Sequence, residues 1–181
     1  MKILICSDIH GDLTGAENVI KAFESDRFDK LLILGDILYH GPRNNLPEGY
    51  NPKAVISLLN SYKSKILAVR GNCDTEVDQM VLEFPILADY IYLYADGKTI
   101  IATHGYKFNT QTPPPLQKGE ILLHGHTHIP VIEAFGNDNL CINPGSASIP
   151  KGGYAPSYAI LSDNSLEIKD FKNNIINRID F

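Results

Sequence analysis

A short apolar run that ends in three closely spaced histidines is the feature that most constrains this chain. Ile121-Leu122-Leu123 is long enough for one buried strand, and His124-Gly125-His126-Thr127-His128 follows it directly. Imidazole is the commonest metal ligand in proteins, and two rings with one residue between them can serve neighbouring metal positions. Gly125 lets the backbone turn sharply where a side chain would obstruct an ion. Taken alone, the segment is either a metal site or an ordinary polar turn, so the rest of the chain must decide.

Apolar runs alternate with amphipathic segments in the first half of the chain. Continuous apolar runs predict three buried strands, at Ile3–Cys6, Leu31–Leu34 and Ile66–Val69. Apolar residues at helical spacing predict helices over Ala16–Phe23 and from Pro52 onward. Strands that alternate with helices in this way predict βαβ units and a parallel sheet.

The second half of the chain is rich in strand signals. Asp96-Gly97 is a strong hairpin signal, because it separates two strand-like runs, Tyr90–Tyr94 and Thr99–Ala102. Further strand-like runs begin at Ile121, Val131, Leu140, Tyr158 and Leu166. With 181 residues, 44% of them hydrophobic, the chain can bury a sizeable core. We therefore predict a single domain over residues 1–181, of the α/β class, with two mixed β-sheets packed as a sandwich and flanked by helices.

Charge and cysteine usage narrow the partners and the compartment. The net charge of −5 and the absence of any lysine or arginine run argue against a genomic nucleic acid as partner, although a small charged substrate remains open. No apolar run approaches the ~20 residues that span a bilayer, and the one at the start is too short for a signal peptide. The three cysteines, Cys6, Cys73 and Cys141, are far apart, which is typical of free thiols. We expect a cytoplasmic protein with no membrane partner.

Most of the predicted strands end in side chains that can bind a metal. These side chains are Asp8, His10, Asp36, Asn72, His104, His126 and His128. Because ligands bind at the carboxyl ends of strands in open α/β sheets, we expect them to meet at one edge. Two carboxylates, one amide oxygen and four imidazoles are donors that suit Mn²⁺, Fe²⁺, Zn²⁺, Ni²⁺ or Co²⁺. They do not form a structural zinc site of the kind that cysteines build. Seven ligands exceed what one such ion takes from protein, so we expect two ions ~3.5–4 Å apart that share a carboxylate and a water.

The same residues, taken in chain order, resemble a known family. The segments Asp8-x-His10, Gly35-Asp36, Gly71-Asn72-Cys73-Asp74, His104-Gly105 and Gly125-His126-Thr127-His128 resemble the signature of the calcineurin-like metallophosphoesterase superfamily. The resemblance covers essentially the whole chain. It is closest to the small YfcE-type phosphodiesterases, through residues 71–80 and the loop 39–44.

The resemblance implies a division of the ligands between two ions. Asp8, His10, Asp36 and His128 would hold one ion, and Asn72, His104 and His126 would hold the other, with Asp36 bridging both. We expect manganese first, with zinc, nickel, cobalt or iron as alternatives. The implied activity is that of a metal-dependent phosphoric diester hydrolase acting on small substrates. Two cations that share a water can lower its pKa to about 7, so a hydroxide would be available to attack phosphorus.

The proton donor to the leaving group stays open at this point. Many relatives place a histidine directly after the asparagine, where this chain has Cys73. Cys73, His40 and a metal-bound water are the candidates, and Cys73 is equally well explained as a packing residue. Arg43 and Cys73 are the candidates for contact with the substrate, and Arg70 and Lys107 also flank the ligands. We expect His124 and Asp74 to support the site rather than to bind metal.

Two other functions remain open. A phosphomonoesterase is the nearest alternative, because the same metals can hydrolyse either ester. The second is a non-catalytic protein-binding module, since the superfamily fold includes a retromer subunit with that role. A homo-oligomer also remains open, and the sequence does not identify the natural diester.

Overall fold

The structure of the protein is a computed structural model that describes residues 1–95 and 97–181. Its elements, in chain order, are β1 (Ile3–Cys6), α1 (Leu13–Glu24), β2 (Lys30–Ile33), α2 (Pro52–Asn60), β3 (Ile66–Ala68), α3 (Glu76–Val81), β4 (Tyr90–Ala95), β5 (Lys98–Thr103), β6 (Ile121–Leu123), β7 (Pro130–Phe135), β8 (Asn139–Pro144), β9 (Ser157–Leu161), β10 (Ser165–Asp170) and β11 (Ile175–Asp180). The strands β4 and β5 pair antiparallel, as the predicted hairpin requires. Asp96 of that predicted turn lies outside the described residues.

Two mixed sheets make up the fold, which confirms the predicted fold class. The first has the order β11-β10-β9-β1-β2-β3, and the second has the order β4-β5-β6-β8-β7. The strands β1, β2 and β3 are parallel to one another, and so are β5, β6 and β8. The carboxyl ends of these parallel strands carry the loops that hold the predicted ligands.

The division of the chain into halves does not match the division into sheets. The strands β9, β10 and β11 come from the second half but complete the first sheet, where β9 pairs antiparallel with β1. All four residues of β1 are buried, so this strand needs a hydrogen-bonded neighbour on each side. The strand β9 is the second hydrogen-bonded neighbour of β1.

Side chains that alternate along β1 serve two cores. Ile3 and Ile5 pack into a cluster between the two sheets, together with residues of β5, β6 and β8. Leu4 and Cys6 face the other way, into a cluster closed by α1 and α2. Each such fully buried aliphatic side chain stabilises the fold by about 1.5–3 kcal/mol. The first sheet is therefore the central layer, which fixes where β1 ends and the site begins.

The helices begin where their capping residues predict. The carboxylate of Asp12 accepts a hydrogen bond from the N–H of Gly15 and caps α1, and Pro52 occupies the first turn of α2 behind the cap Asn51. The short helix α3 begins at a capping box formed by Thr75 and Asp78. Sequence reasoning did not anticipate α3 or β11. Within the described residues, no helix has the length and apolarity needed to cross a membrane.

Candidate metal centre

The loops after five strands bring all seven predicted ligands together. The loops follow β1, β2, β3, β5 and β6. One ligand atom from each of Asp8, His10 and His128 lies within 4.8 Å of the other two. The same holds for a second group, which consists of Asp36, His104 and His126. The seventh predicted ligand, Asn72, lies beside this group, with its Oδ1 3.1 Å from Nε2 of His104. The resemblance implied a similar division but placed Asp36 in both groups, and a third group of candidate ligand atoms joins Asp36 to His10 and Cys73.

In the first group, Nε2 of each histidine faces the carboxylate. Oδ1 of Asp8 lies 3.6 Å from Nε2 of His10 and 3.3 Å from Nε2 of His128. The Nδ1 atoms of the two rings lie 2.8 Å from main-chain carbonyl oxygens, of Tyr39 and of Ile149 respectively. Because Nδ1–H donates to a carbonyl, the Nε2 lone pair of each ring is left free to bind a metal.

The second group is oriented in the same way. Nδ1 of His104 lies 2.6 Å from the carbonyl oxygen of Leu34, so Nε2 points into the group. That Nε2 is 3.4 Å from Oδ2 of Asp36, 3.1 Å from Oδ1 of Asn72 and 3.3 Å from Nδ1 of His126. A carboxylate, an amide oxygen and two imidazoles therefore converge on one small volume.

The Asp36 carboxylate faces both groups. Its Oδ2 lies 3.7 Å from Nε2 of His10 and 3.4 Å from Nε2 of His104. Its Oδ1 accepts a hydrogen bond from the main-chain N–H of Cys73 at 2.8 Å, which fixes the plane of the carboxylate. Oδ1 of Asp8 also comes within 3.9 Å of Nε2 of His104, so Asp36 is the carboxylate that approaches the second group more closely.

Backbone strain is concentrated at these residues. Positive φ angles of 52–67° occur at five of the predicted ligands: Asp8, His10, Asp36, His126 and His128. A non-glycine residue in this region costs on the order of 1–3 kcal/mol and persists only where its surroundings enforce it. At Gly125 a Cβ would lie 1.8 Å from Oγ of Ser7, so only glycine fits between two of the ligand loops.

A buried carboxylate oxygen at the centre has no hydrogen-bond donor. The Asp8 side chain is 0% exposed, and its Oδ1 has no hydrogen-bond partner among the described residues. Its Oδ2 is satisfied, because it accepts hydrogen bonds from Oγ of Ser7 and the main-chain N–H of His126. An unpartnered buried carboxylate oxygen is costly, and the histidine Nε2 atoms around it are metal-binding atoms. The donor set therefore fits a divalent cation.

The carboxylates and histidines shift one another's pKa values. Burial alone would raise the pKa of Asp8, but the neighbouring imidazoles of His10 and His128 and the charge of His104 hold it well below its usual range. Burial likewise opposes ionisation of Asp36, and His104 outweighs it and lowers the pKa of Asp36. Burial opposes protonation of His104, yet its bond to Asp36 and the charges of both carboxylates raise its pKa to about 9. The cluster thus carries a proton that a metal must displace.

Two further loops hold the ligand loops in place. The carboxylate of Asp74 accepts main-chain hydrogen bonds from the loop that carries Asp36, as predicted for a supporting residue. Nδ2 of Asn143 donates to the carbonyl oxygen of Gly125 at 2.7 Å, and Oγ of Ser146 donates to the carbonyl oxygen of Asp8 at 2.8 Å. The 143–146 loop is therefore tied directly to the loops that carry the predicted ligands.

A cavity of about 320 Å³ opens onto the ligands. It is lined by Asp36, Asn72, His126 and His128, by the predicted substrate contacts Arg43 and Cys73, and by Thr127 and Lys151, among others. Sequence reasoning missed Lys151, which follows Pro150 in a glycine-rich turn without any recognisable pattern.

His40 is not among the residues that line this cavity. Its ring centroid lies 4.9 Å from that of Tyr39 and 5.3 Å from that of Tyr50, in edge-on contacts with both. The structure therefore does not bring this predicted proton donor together with the ligands. His124 also lies outside both ligand groups, with its Nε2 3.3 Å from Sγ of Cys141.

Cys73 is buried beside the ligands. Its Sγ lies 3.2 Å from Nδ2 of Asn72, and one cluster of candidate ligand atoms contains it together with His10 and Asp36. Burial, followed by the charge of Asp36 and a hydrogen bond to it, raises the pKa of the Cys73 thiol far above its usual value. The thiol is thus protonated at neutral pH and a weak acid.

Comparisons with known proteins agree with this geometry. A family model described as "Calcineurin-like phosphoesterase superfamily domain" matches residues 1–165. Phosphodiesterase YfcE of Escherichia coli strain K12 is 46% identical over 168 residues, which are 93% of this chain and 91% of that protein. The probable metallophosphoesterase YsnB of Bacillus subtilis strain 168 is 27% identical over 169 residues, which are 90% of this chain and 84% of that protein.

A solved structure extends the comparison to three dimensions. It is described as the structural and biochemical characterization of YfcE, a phosphoesterase from E. coli, and it is 44% identical to this chain. The match has a TM-score of 0.95 and covers 99% of each chain.

Proposed function

The chain belongs to the calcineurin-like phosphoesterase superfamily, and on that premise we propose that this phosphoesterase is a dinuclear, metal-dependent phosphodiesterase of small substrates. One observation carries the dinuclear part of the proposal. The Asp36 carboxylate lies 3.7 Å from a nitrogen of one ligand group and 3.4 Å from a nitrogen of the other. A carboxylate so placed can bridge two ions, which is the arrangement of two-metal hydrolases.

The two ions would be held by the two groups of side chains. Asp8, His10, Asp36 and His128 would hold one ion, and Asn72, His104, His126 and Asp36 would hold the other. We propose divalent transition metals, manganese first, because the donors are oxygen and imidazole nitrogen. Such a pair would make water a stronger nucleophile near neutral pH and would offset the charge of the phosphate oxygens, so hydrolysis would need no covalent protein intermediate.

The chain's own residues would orient and confine the reaction. The carbonyl oxygens of Tyr39, Leu34 and Ile149 hold three imidazole rings in the tautomer that leaves Nε2 free. Arg43, at the cavity wall, can donate two parallel hydrogen bonds to phosphate oxygens. Cys73 keeps its proton and lines the cavity, so it remains a candidate donor to the leaving oxygen.

The assignment of a diester substrate depends more on the similarity to a named phosphodiesterase than on the charge of the cavity. Phosphodiesterase YfcE is 46% identical over 93% of this chain, and its name specifies a diesterase. A phosphomonoesterase is the second candidate, because Arg43 and Lys151 both line the cavity and could offset the additional charge of a monoester. Charge alone therefore does not separate the two reactions.

Matched chromogenic esters test this assignment. Protein loaded with Mn²⁺, Zn²⁺, Ni²⁺ or Co²⁺ in turn is assayed with bis(4-nitrophenyl) phosphate and with 4-nitrophenyl phosphate. We expect a higher kcat/KM for the diester, and we expect Asp36→Asn to remove the turnover of both esters, which excludes a contaminating hydrolase. Equal or faster monoester turnover with several metals would overturn the diester assignment.

A non-catalytic binding module fits the site poorly. Such a module needs neither seven metal-binding side chains at one sheet edge nor a buried Asp8 oxygen without a hydrogen-bond donor. The absence of turnover of every ester in metal-loaded protein would favour the module instead.

The cytoplasm remains the proposed location. Among the described residues the three cysteines are unpaired and buried, which is typical of a reducing compartment. Fractionation of cells that express a tagged full chain would test this, and recovery from an oxidising compartment would contradict it.

A further inference from the structure

Two cationic side chains stand where the metal cavity meets a second cavity. Arg43 and Lys151 both line the 320 Å³ cavity over the ligands. Both also line an adjoining cavity of about 370 Å³, whose other walls include Asn44, Asn45 and Ile149. A group bound in the second cavity would therefore lie beside the two cations and next to the metal centre.

The charges of these two side chains are not neutralised by the protein. Within residues 1–95 and 97–181, no carboxylate forms an ion pair with Arg43 or Lys151. The other two cations that flank the ligands in sequence, Arg70 and Lys107, are each paired with a carboxylate. Neither of those two lines either cavity. Two unpaired positive charges therefore face this space.

Hydrogen bonds hold the main chain at both cations. They tie Lys151 to a predicted metal ligand, and they close the turn that carries Arg43. The main-chain N–H of Lys151 donates to the carbonyl oxygen of His128 at 3.0 Å, and Nδ1 of the same histidine bonds the carbonyl oxygen of Ile149 at 2.8 Å. The turn that carries the arginine is closed by a hydrogen bond from Nδ2 of Asn44 to the carbonyl oxygen of His40 at 2.8 Å. The main chain of Lys151 is therefore fixed relative to His128, and the main chain around Arg43 is held within its own turn.

The scissile phosphate of a diester carries a single negative charge, which two metal ions already neutralise. Two further cations match a second group of about −2, which is the charge of a terminal phosphate near neutral pH. A guanidinium binds phosphate in a bidentate manner, and an ammonium adds a point charge. We propose that Arg43 and Lys151 bind a second phosphate group of the substrate, so that the substrate class is a diester of an alcohol that carries a further phosphate.

This inference rests on the proposed phosphodiesterase function, and one pair of substrates tests it. The substrates are the 4-nitrophenyl ester of thymidine 5′-phosphate with a free 3′-hydroxyl and the same ester with a 3′-phosphate. We expect kcat/KM of the Mn²⁺-loaded protein to be about tenfold or more higher for the 3′-phosphorylated ester, because charge-assisted hydrogen bonds from Arg43 and Lys151 would hold the added phosphate. The gain should come mainly from KM.

Charge-matched variants separate this site from the overall charge of the protein. Lys151→Met and Arg43→Met should each remove most of the advantage of the 3′-phosphate. Lys118→Met is the control, since Lys118 precedes β6 at the end of the strand opposite the ligands and pairs with Asp138. The Lys118→Met variant should keep the higher kcat/KM for the 3′-phosphorylated ester. An advantage that survives in Lys151→Met, or that disappears equally in Lys118→Met, would overturn the proposal.

A binding measurement makes the proposal independent of turnover. Calorimetry of the Mn²⁺-loaded protein compares thymidine 3′,5′-bisphosphate with thymidine 5′-phosphate. We expect the bisphosphate to bind about tenfold tighter, and we expect Lys151→Met to lose that preference. Equal affinities would overturn the second phosphate site even if diesters are cleaved. A preference for the bisphosphate without diester cleavage would support this site and refute the phosphodiesterase function.

Discussion

Oδ2 of Asp74 accepts a hydrogen bond from the main-chain N–H of Asp36 at 2.8 Å. The same carboxylate accepts from the N–H of Ile37 at 2.9 Å and from the N–H of Gly71 at 2.8 Å. Burial raises the pKa of Asp74 to about 6, against the effect of these hydrogen bonds. A buried carboxylate that contacts no predicted ligand side chain therefore fixes the loop on which the bridging ligand stands.

Asp74→Asn should weaken metal binding by about 10–100-fold, the usual effect of removing a residue that orients a ligand. The amide has one acceptor oxygen where the loop presents three N–H donors, so the Asp36 loop loses its support. Asp78→Asn is the control, because this carboxylate bonds only Thr75 at the start of α3. Titration with Mn²⁺ measures the effect. An unchanged affinity with a lowered Tm would mean that Asp74 stabilises the fold only.

The number of metal ions bound per chain should differ between the wild type, Asp8→Asn and Asp36→Asn. We expect two ions per chain in the wild type, one in Asp8→Asn and substantially fewer than one in Asp36→Asn, because the Asp36 carboxylate faces both groups. Elemental analysis after dialysis measures the content. A single ion in the wild type, or full occupancy in Asp36→Asn, would contradict a shared carboxylate.

Metal affinity should rise with pH until about pH 9. The pKa of His104 is raised from 6.5 to about 9, so its Nε2 is protonated in the metal-free protein at neutral pH. A metal must displace this proton, so the affinity should rise up to about tenfold per pH unit below pH 9 and level off above it. Calorimetry in two buffers of different ionisation enthalpy measures the released proton. An affinity that does not change between pH 7 and 9 would contradict a His104 proton that the metal displaces in this range.

The same shift predicts the stability of the metal-free protein. Because the folded-state pKa of His104 is raised, its contribution is fully present below about pH 6.5 and is lost as the pH rises through about 9. Thermal unfolding in chelator across this range checks the sign. A metal-free His104→Gln variant should show a weaker fall in Tm over that window.

Cys73→Ser should slow diesters with good and poor leaving groups by a similar, small factor. The raised pKa of the thiol makes it a poor proton donor, so its loss should not act through the leaving group. Diesters of 4-nitrophenol and of an alkyl alcohol provide the comparison, and Cys141→Ser is the buried-thiol control. General-acid catalysis is typically worth ~10²–10⁴-fold. A loss of that size confined to the alkyl ester would identify Cys73 as the acid.

Much of this centre follows from the sequence because it obeys local rules. The four apolar residues Ile3–Cys6 predict β1 with its observed bounds, and the polar residues after it lie at the sheet edge, as parallel strands require. The loops after these strands also bring the predicted ligand atoms of Asp8, His10 and His128 within 4.8 Å of one another. What these predictions share is that each depends on a strand and the few residues after it.

The features that sequence reasoning missed depend on contacts between distant segments. Lys151 lies at the cavity because its main-chain N–H donates a hydrogen bond to the carbonyl oxygen of His128. No local sequence pattern predicts this contact. The return of β9 to the first sheet depends on its pairing with β1, at the opposite end of the chain. The helix α3 has six residues, too few for a clear period. His40 and Arg43 share one loop, but the ring of His40 packs against Tyr39 and Tyr50 while Arg43 lines the cavity.

The pairing of β1 with β9 also sets the order in which this protein can mature on the ribosome. The carbonyl oxygen of Asp8 is held by the hydroxyl of Ser146, which lies 138 residues later in the chain. At about 5–20 residues per second, roughly 7–28 s separate the synthesis of the two residues. A nascent chain therefore exposes carboxylates and imidazoles long before they can close around an ion. We expect metal capture to follow the synthesis of Ser146, because only then can the loop that carries Asp8 be held in place.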